Sequence, residues 1–568
     1  MRYLMPWPRN HTVHIVALQA GSHCSSFYPL HAFCYAPLFA CKGPCYAFPT
    51  RARAPANNLP SESSDPLALA PDLSSRVGLE SDLRQCALIR DKLIKDGLYD
   101  ESPVLLHEDA STKGTMRQWR IAVTPVLLPP GEIEFFRQLG SPLLSFYKSL
   151  NRLYLQSVRG VQPEWVAQYL DQGKPESLIS FGRMKRFRDV LPAVIRPDVI
   201  PTDEGFVMTE LDSVPGGIGL TGALGQAYGP SVKNGVQPEG KNWDIVGGAD
   251  GIIEGFAAMA QAEVGDREGC VAIVVSEEAK DYRPEMRWLA AQLRARKLET
   301  WCVEPHDIGF TEEGLLISTE AGARPVALLY RFFELFDLPN VPKAELIMYS
   351  VKKERTIATP PFKPALEEKL GFALLHHPVL RPFWKQELGV DTFELLAQLM
   401  PKTWVLDPRP IPPSAIIPDL MAGGHPVADW RALGHASQKD RRLVIKPSGF
   451  SELAWGSRGV SIGHDLSQTE WAGAMETALA SFSSTPYVLQ EFHKGRQFTL
   501  SYYDVVKDDI VPMSGRARLC PYYFVTGDKA ELAGILATVC PLDKKLIHGM
   551  RDAIMSPCAV QPTQNSER

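Results

Sequence analysis

Arg196-Pro-Asp198 and Glu210-Leu-Asp212 are the residues whose types and spacing best fit chemistry. Each triplet sits in a β-rich run, AVIRPDVI and FVMTEL, and the PTDEG between them reads as a turn over 201–205. Side chains alternate along a strand, so Arg196 and Asp198 share a face, as do Glu210 and Asp212 with Leu211 opposite. Paired through the turn, the carboxylates of Asp198, Glu210 and Asp212 converge. Three carboxylates on one surface repel unless a cation neutralises them. Mg²⁺ suits all-oxygen ligands and phosphate partners, and Arg196 beside it would meet a phosphate. A solvated hairpin with a salt bridge is the plainer reading of the same residues. Val214-Pro-Gly-Gly-Ile-Gly219 follows at once as a flexible loop.

A second signal runs from Leu443 to Val460. A β-branched strand ends in Lys446, a loop of small residues holds Gly449, Gly456, Ser457, Arg458 and Gly459, and a second strand starts at Val460. Glycines let backbone N–H groups approach phosphate oxygens closely, and a lysine adds a point charge. The segment lacks the Gly-Lys-Ser/Thr of a Walker loop and continues into a strand, not a helix. A glycine-containing hairpin with a solvent-facing lysine has the same pattern. A third signal is Pro486-Tyr-Val-Leu-Gln490-Glu491-Phe492, an apolar strand whose backbone can offer N–H and C=O groups to an adenine edge.

The elements that must position these residues alternate. Residues 80–98 have helical spacing with Gly97 near the end, and 118–128 look extended. Residues 130–156 are helical again, with an interruption expected near Gly140-Ser141-Pro142. Residues 249–263 read as a helix, and 270–304 as a βαβ-like unit followed by a strand at 325–333. Further strands are expected at 442–446, 458–462, 486–492 and 496–503. The pattern gives α/β or α+β layers, not a helical bundle or a β-sandwich.

The chain has 568 residues, 45% hydrophobic and 22% charged, with a formal net charge of -5. That balance excludes a largely disordered chain and argues against non-specific nucleic-acid binding, which shows a basic excess. No apolar run approaches the roughly 18 residues that span a bilayer. Cys86, Cys270, Cys302, Cys520, Cys540 and Cys558 are scattered, which reads as reduced thiols and favours the cytoplasm. Residues 1–75 are acid-poor and end in linker composition. A targeting leader is interrupted by Pro6, Pro8, Pro29 and Pro37, and Cys41-Lys-Gly-Pro-Cys45 is too isolated a pair for a zinc site. The expectation is an extension outside the fold.

Together these segments resemble the ATP-grasp superfamily of carboxylate–amine ligases. They look most like its circularly permuted branch, which includes the synthetase domain of glutathionylspermidine synthetase. The Glu-x-Asp segment precedes Lys446 here, which is the order of a permuted chain. The resemblance implies an ATP-grasp-like two-lobed nucleotide site with an associated pre-ATP-grasp α/β domain. It implies Mg²⁺ on Asp198, Glu210 and Asp212, with aspartate at 212 where asparagine is usual, and Arg196 on the transferring phosphoryl group. Thr359-Pro-Pro-Phe-Lys363-Pro-Ala-Leu-Glu-Glu-Lys369 matches the branch's proline-rich turn and lysine helix, with Lys369 as first nucleotide lysine, Lys363 as the weaker candidate and Lys446 as the second lysine. Gly456, Ser457, Arg458 and Gly459 resemble the phosphate-covering loop. Gln490, Glu491 and Phe492 resemble the adenine hinge, and Arg516 and Arg518 the late arginines near the phosphates.

On that basis the expected divisions are a helical region over 76–180, a metal-binding segment over 181–264, the α/β domain over 265–340, nucleotide-binding lobes over 341–555 and a tail over 556–568. The implied function is ATP-dependent amide formation through an acylphosphate, with ATP and Mg²⁺ as cofactors. Its partners are a small carboxylate and an amine, with neither nucleic acid nor membrane. Two alternatives stay open: a catalytically degenerate ATP-binding scaffold, and a nucleotidyl- or phosphotransferase using the same grip. His376-His377 ends an apolar helix before Pro378 and reads as structural, and the stripe Met286, Leu289, Ala290, Leu293 reads as core.

Overall fold

The computed structural model describes residues 73–100, 119–229, 243–320, 322–411, 415–544, 546–549 and 551–562. The cysteines and histidines of the first 72 residues lie outside that range. The fold is mixed α/β, with three principal sheets.

The largest sheet runs in the order Gln497–Asp504, Arg120–Ala122, Ile554–Val560, Lys529–Pro541, Asp509–Thr526, Val194–Thr202, Gly205–Asp212. Strand Asp509–Thr526 is long enough to pair along one edge with two partners. Its first half takes Gln497–Asp504, and its second half takes Val194–Thr202. The acidic hairpin is thereby attached to a strand that arrives some 300 residues later in the chain.

A second sheet, Thr300–Val303, Cys270–Val275, Gly322–Phe332, Leu315–Thr319, Ile308–Phe310, contains the βαβ unit. Its first three strands are parallel, the first two joined through helix Arg283–Ala295. Strand Cys270–Val275 is buried at every position, as a parallel strand covered on both faces must be. The third sheet is antiparallel, Thr403–Val405, Tyr487–Glu491, Leu443–Pro447, Ser461–Ile462, backed by helix Gln468–Ala480.

Helix Pro130–Val158 is continuous through Pro142, contrary to the expected interruption. A proline inside a helix costs about 3 kcal/mol through one lost hydrogen bond and a ring clash. Phe136, Leu139, Leu143, Leu144, Phe146, Tyr147 and Leu150 are all buried along the same helix, and each such side chain contributes about 1.5–3 kcal/mol. Burial therefore outweighs the proline.

Among the described residues no helix is long and apolar enough to cross a membrane. The six scattered cysteines are unpaired, and five of them are buried.

Candidate active site between the acidic hairpin and two lysines

Strands Val194–Thr202 and Gly205–Asp212 pair in an antiparallel register that sets Arg196 opposite Asp212 and Asp198 opposite Glu210, with an irregularity between Asp198 and Val199. Arg196 uses its fork on both aspartates, at 2.7 Å to Asp198 and 2.6 Å to Asp212. Asp198 takes a second guanidinium from Arg518 at 2.9 Å and the Cys520 thiol at 3.4 Å. Burial alone would raise the Asp198 pKa, but the charges of Arg196 and Arg518 outweigh it and hold the carboxyl below its ordinary value.

Glu210 meets the two lysines. Its Oε1 lies 3.7 Å from Lys446 Nζ and 4.0 Å from Lys369 Nζ. Lys446 also donates to the side-chain oxygen of Gln490 at 3.0 Å and to the Thr209 carbonyl at 3.3 Å. Burial depresses its pKa, and the nearby Glu210 only partly offsets that. Lys369 donates to the Ala454 carbonyl at 3.2 Å. Arg196, Asp198, Glu210, Asp212, Lys369 and Lys446 all line one cavity of about 1140 Å³, together with Gly456, Ser457, Gln490, Glu491, Phe492, Arg516 and Arg518.

Several expected roles do not fit this geometry. Asp198, Glu210 and Asp212 do not assemble as a three-carboxylate ligand set, and among the described residues no group of three or more His, Cys, Asp or Glu is placed to hold a metal. Their charge is met by Arg196, Arg518 and the lysines instead. Asp198, only 7% exposed, has both oxygens occupied by guanidiniums, whereas Glu210 and Asp212 are 31% and 30% exposed. Mg²⁺ bound with a nucleotide needs only one or two protein carboxylates beside phosphate oxygens and water. Glu210 and Asp212 are the carboxylates open to such an ion, Asp212 while also accepting from Arg196 at 2.6 Å and from the Val214 amide at 2.9 Å.

Two backbone donors of the expected adenine hinge are already spent. The backbone N–H of Glu491, at the end of a strand that lies between two partners, donates to the Lys402 carbonyl, and that of Phe492, just beyond it, to the Arg442 carbonyl. The Gln490 carboxamide is spent on Lys446 and Thr403. Gln490 thus positions the lysine.

Arg458 and Gly459 do not line the cavity. Arg458 pairs with Glu278 at 2.8 Å, and its guanidinium lies 5.4 Å from the Trp455 ring centre. Trp455 in turn meets Tyr282 across 5.8 Å, so the loop closes against the α/β layer. Gly456 and Ser457 are both left-handed, with φ of 62° and 60°, which turns the chain sharply at the cavity wall. Lys363 is excluded from the cavity. Its ammonium donates to the carbonyls of Phe187, Arg188 and Val190 at 3.0, 3.3 and 3.0 Å, and burial lowers its pKa to about 8. His376 bonds the Met400 carbonyl at 3.0 Å, and His377 packs 4.5 Å from the Trp165 ring.

Three supports had no signature in the sequence. Glu368 forms a buried ion pair with Lys174, with side chains 1% and 0% exposed, and accepts from Ser448 Oγ and from the Gly449 amide at 3.0 Å. It ties the Lys369 turn to the loop after Lys446. Gly449 is required there, because a Cβ would fall 1.6 Å from the Glu367 carbonyl oxygen. Glu285 accepts from the amides of Gly217 at 2.7 Å and Leu220 at 2.9 Å, fixing the glycine loop at the start of helix Ile218–Tyr228. Burial raises its pKa to about 7. Glu367 is paired with the buried Arg331; burial raises its pKa to about 7, a rise the guanidinium limits.

No family model matches this chain, and no curated protein matches it. Among solved structures, a glutathione synthetase-like effector from Globodera pallida, in its apo form, superposes with a TM-score of 0.49 at 13% identity. That match covers 84% of this chain and 97% of that chain. A putative gamma-glutamylcysteine synthetase from Methylobacillus flagellatus KT superposes with a TM-score of 0.34 at 12% identity, over 77% of this chain and 90% of that chain. At these values the likeness assigns no activity to this chain.

Proposed function

We propose that this protein is an ATP-dependent ligase that joins a carboxylate to an amine through an acylphosphate, on a permuted ATP-grasp-like site. One observation carries the reading: Lys369 and Lys446, from separate segments, meet Glu210 of the acidic hairpin at 4.0 and 3.7 Å in a cavity large enough for a nucleoside triphosphate. Phosphoryl transfer needs positioning and charge neutralisation more than an enzyme nucleophile. The cavity offers cations, a turn of small residues and carboxylates in that proportion.

Lys446 and Lys369 bind the phosphates in the ground state. Glu210 and Asp212 are the carboxylates that would hold Mg²⁺, which would supply further neutralisation of phosphate charge. Arg196 steadies Asp212 and Asp198 and lies beside the reacting end. The substrate carboxylate attacks the γ-phosphorus and ADP leaves. The amine nitrogen then attacks the acyl carbon, inorganic phosphate leaves, and the nitrogen gives up its proton.

The test is an ADP-release screen of carboxylate and amine pairs with Mg·ATP. Release of ADP and phosphate only when both substrates are present is the expected result. Pyrophosphate in place of ADP identifies a nucleotidyl transferase, and nucleotide binding without turnover for any pair identifies a scaffold.

A further inference from the structure

The cavity extends past the hairpin along one face of the large sheet. Cross-strand register sets Arg518 opposite Thr538 and Thr538 opposite Met555, while Cys520 is opposite Leu536. Alternate residues of a strand share a face, so this face passes from Asp198 and Arg518 to Leu536 and Met555. Leu98, Trp119 and Leu220 complete the far end, and all five apolar residues line the cavity while belonging to one buried hydrophobic cluster. Between this apolar end and the hairpin stand Arg516 and Arg518. The Nε of each is buried and has no hydrogen-bond partner among the described residues.

We propose that this end of the cavity takes the acyl substrate, a carboxylic acid with an apolar tail: its carboxylate at Arg516 and Arg518, its tail against Leu536, Met555 and Trp119. The proposal rests on the ligase reading and names the substrate class for it. Two guanidiniums with unspent donors recognise a carboxylate and repel an ammonium. A charged tail would be stripped of water against the five apolar side chains. The placement follows the order of the sheet, in which the strand carrying Arg516 and Arg518 lies between the hairpin and the strands carrying Leu536 and Met555.

The experiment is calorimetric titration of the full chain with acetate, hexanoate and adipate, in the presence of Mg²⁺ and a non-hydrolysable ATP analogue. Each buried methylene strengthens binding by about fourfold, so hexanoate binds at least about tenfold tighter than acetate. Adipate, with a second charge in the apolar end, gains nothing over acetate. Leu536→Asp removes the hexanoate advantage. Leu536→Ala, which keeps a small apolar side chain and guards against misfolding, reduces it. Equal affinity for hexanoate and acetate, or a preference for adipate, overturns the proposal while leaving the ligase reading intact. Failure of the wild-type protein to bind the nucleotide analogue overturns the ligase reading and this proposal with it.

Discussion

Lys446 Nζ lies 3.7 Å from Glu210 Oε1, and this contact joins the antiparallel four-stranded sheet to the acidic hairpin of the large sheet. Lys446 is buried and Glu210 is partly open to the cavity. A buried ammonium is costly unless paired, so the pair both satisfies the lysine and aims it at the cavity.

Glu210→Gln keeps the side chain's shape and removes its charge. Loss of one preorganised charged contact raises a barrier by about 3–4 kcal/mol, or about 10²–10³ in rate. ADP release should fall by that factor, and the thermal melt should drop as well because the buried Lys446 loses its counter-charge. A rate near wild type removes Glu210 from the machinery.

Arg196 is shared by Asp198 and Asp212, and its side chain is only 11% exposed. Burial would lower its pKa, but the Asp198 carboxylate and its neighbours raise it, so it stays charged. Arg196→Met leaves Asp212 without its guanidinium. Asp212 is 30% exposed and Asp198 keeps Arg518, so the loss should fall below the cost of breaking a fully buried pair, about 3–5 kcal/mol, read as a shift in urea midpoint at unchanged slope. Arg196→Lys restores a charge without the fork and should fall between.

The hairpin was legible in the sequence because two alternating runs flank a Pro-Thr-Asp-Glu-Gly turn, a purely local pattern. The βαβ unit was legible from the switch in hydrophobic period between 270 and 304. What each carboxylate faces was not, since Asp198 meets Arg518 only because strand Asp509–Thr526 pairs with the hairpin. Lys363 and Lys369 lie in one short run, and only the fold turns the first toward backbone carbonyls and the second toward Glu210. The Pro142 helix shows the same limit, with local propensity yielding to long-range burial.

Lys174 and Glu368 form an ion pair closed off from water, and Glu368 also holds Ser448 and Gly449. Lys174→Met strands the Glu368 charge in the interior, and about 3–5 kcal/mol of stability should be lost. Lys174→Met combined with Glu368→Gln should recover part of that loss, because the second change removes the stranded charge. Strict additivity in this double-mutant cycle would mean that the two residues do not interact.

Stability should also depend on pH through Glu285, whose pKa is raised by burial from 4.5 to about 7. The folded form holds its proton where the unfolded chain has released it. The stabilising contribution is therefore complete below pH 4.5 and is lost as pH rises through about 7. Every tenfold gain in proton affinity on folding corresponds to about 1.4 kcal/mol. Urea melts from pH 5 to 8 should show wild-type stability falling more steeply than that of Glu285→Gln. Parallel curves would reject the assignment.

Arg458 provides the opposite kind of test, since its sequence neighbourhood assigns it to the phosphates and its contacts do not. It pairs with Glu278 near the surface, both side chains being about one-third exposed, and its guanidinium lies against the Trp455 ring. Exposed pairs contribute about 0.2–1 kcal/mol, so Arg458→Ala should change the melt by no more than that. The KM for ATP should stay within about twofold, because the Arg458 guanidinium is spent on Glu278 and the Trp455 ring and does not line the cavity. Ser457→Pro, by contrast, cannot keep the left-handed φ of 60° at the cavity wall, and should raise that KM several-fold. If instead Arg458→Ala raises the KM tenfold and Ser457→Pro does not, Arg458 leaves Glu278 for the phosphates when nucleotide binds, and the loop's position against Tyr282 is not the one that works.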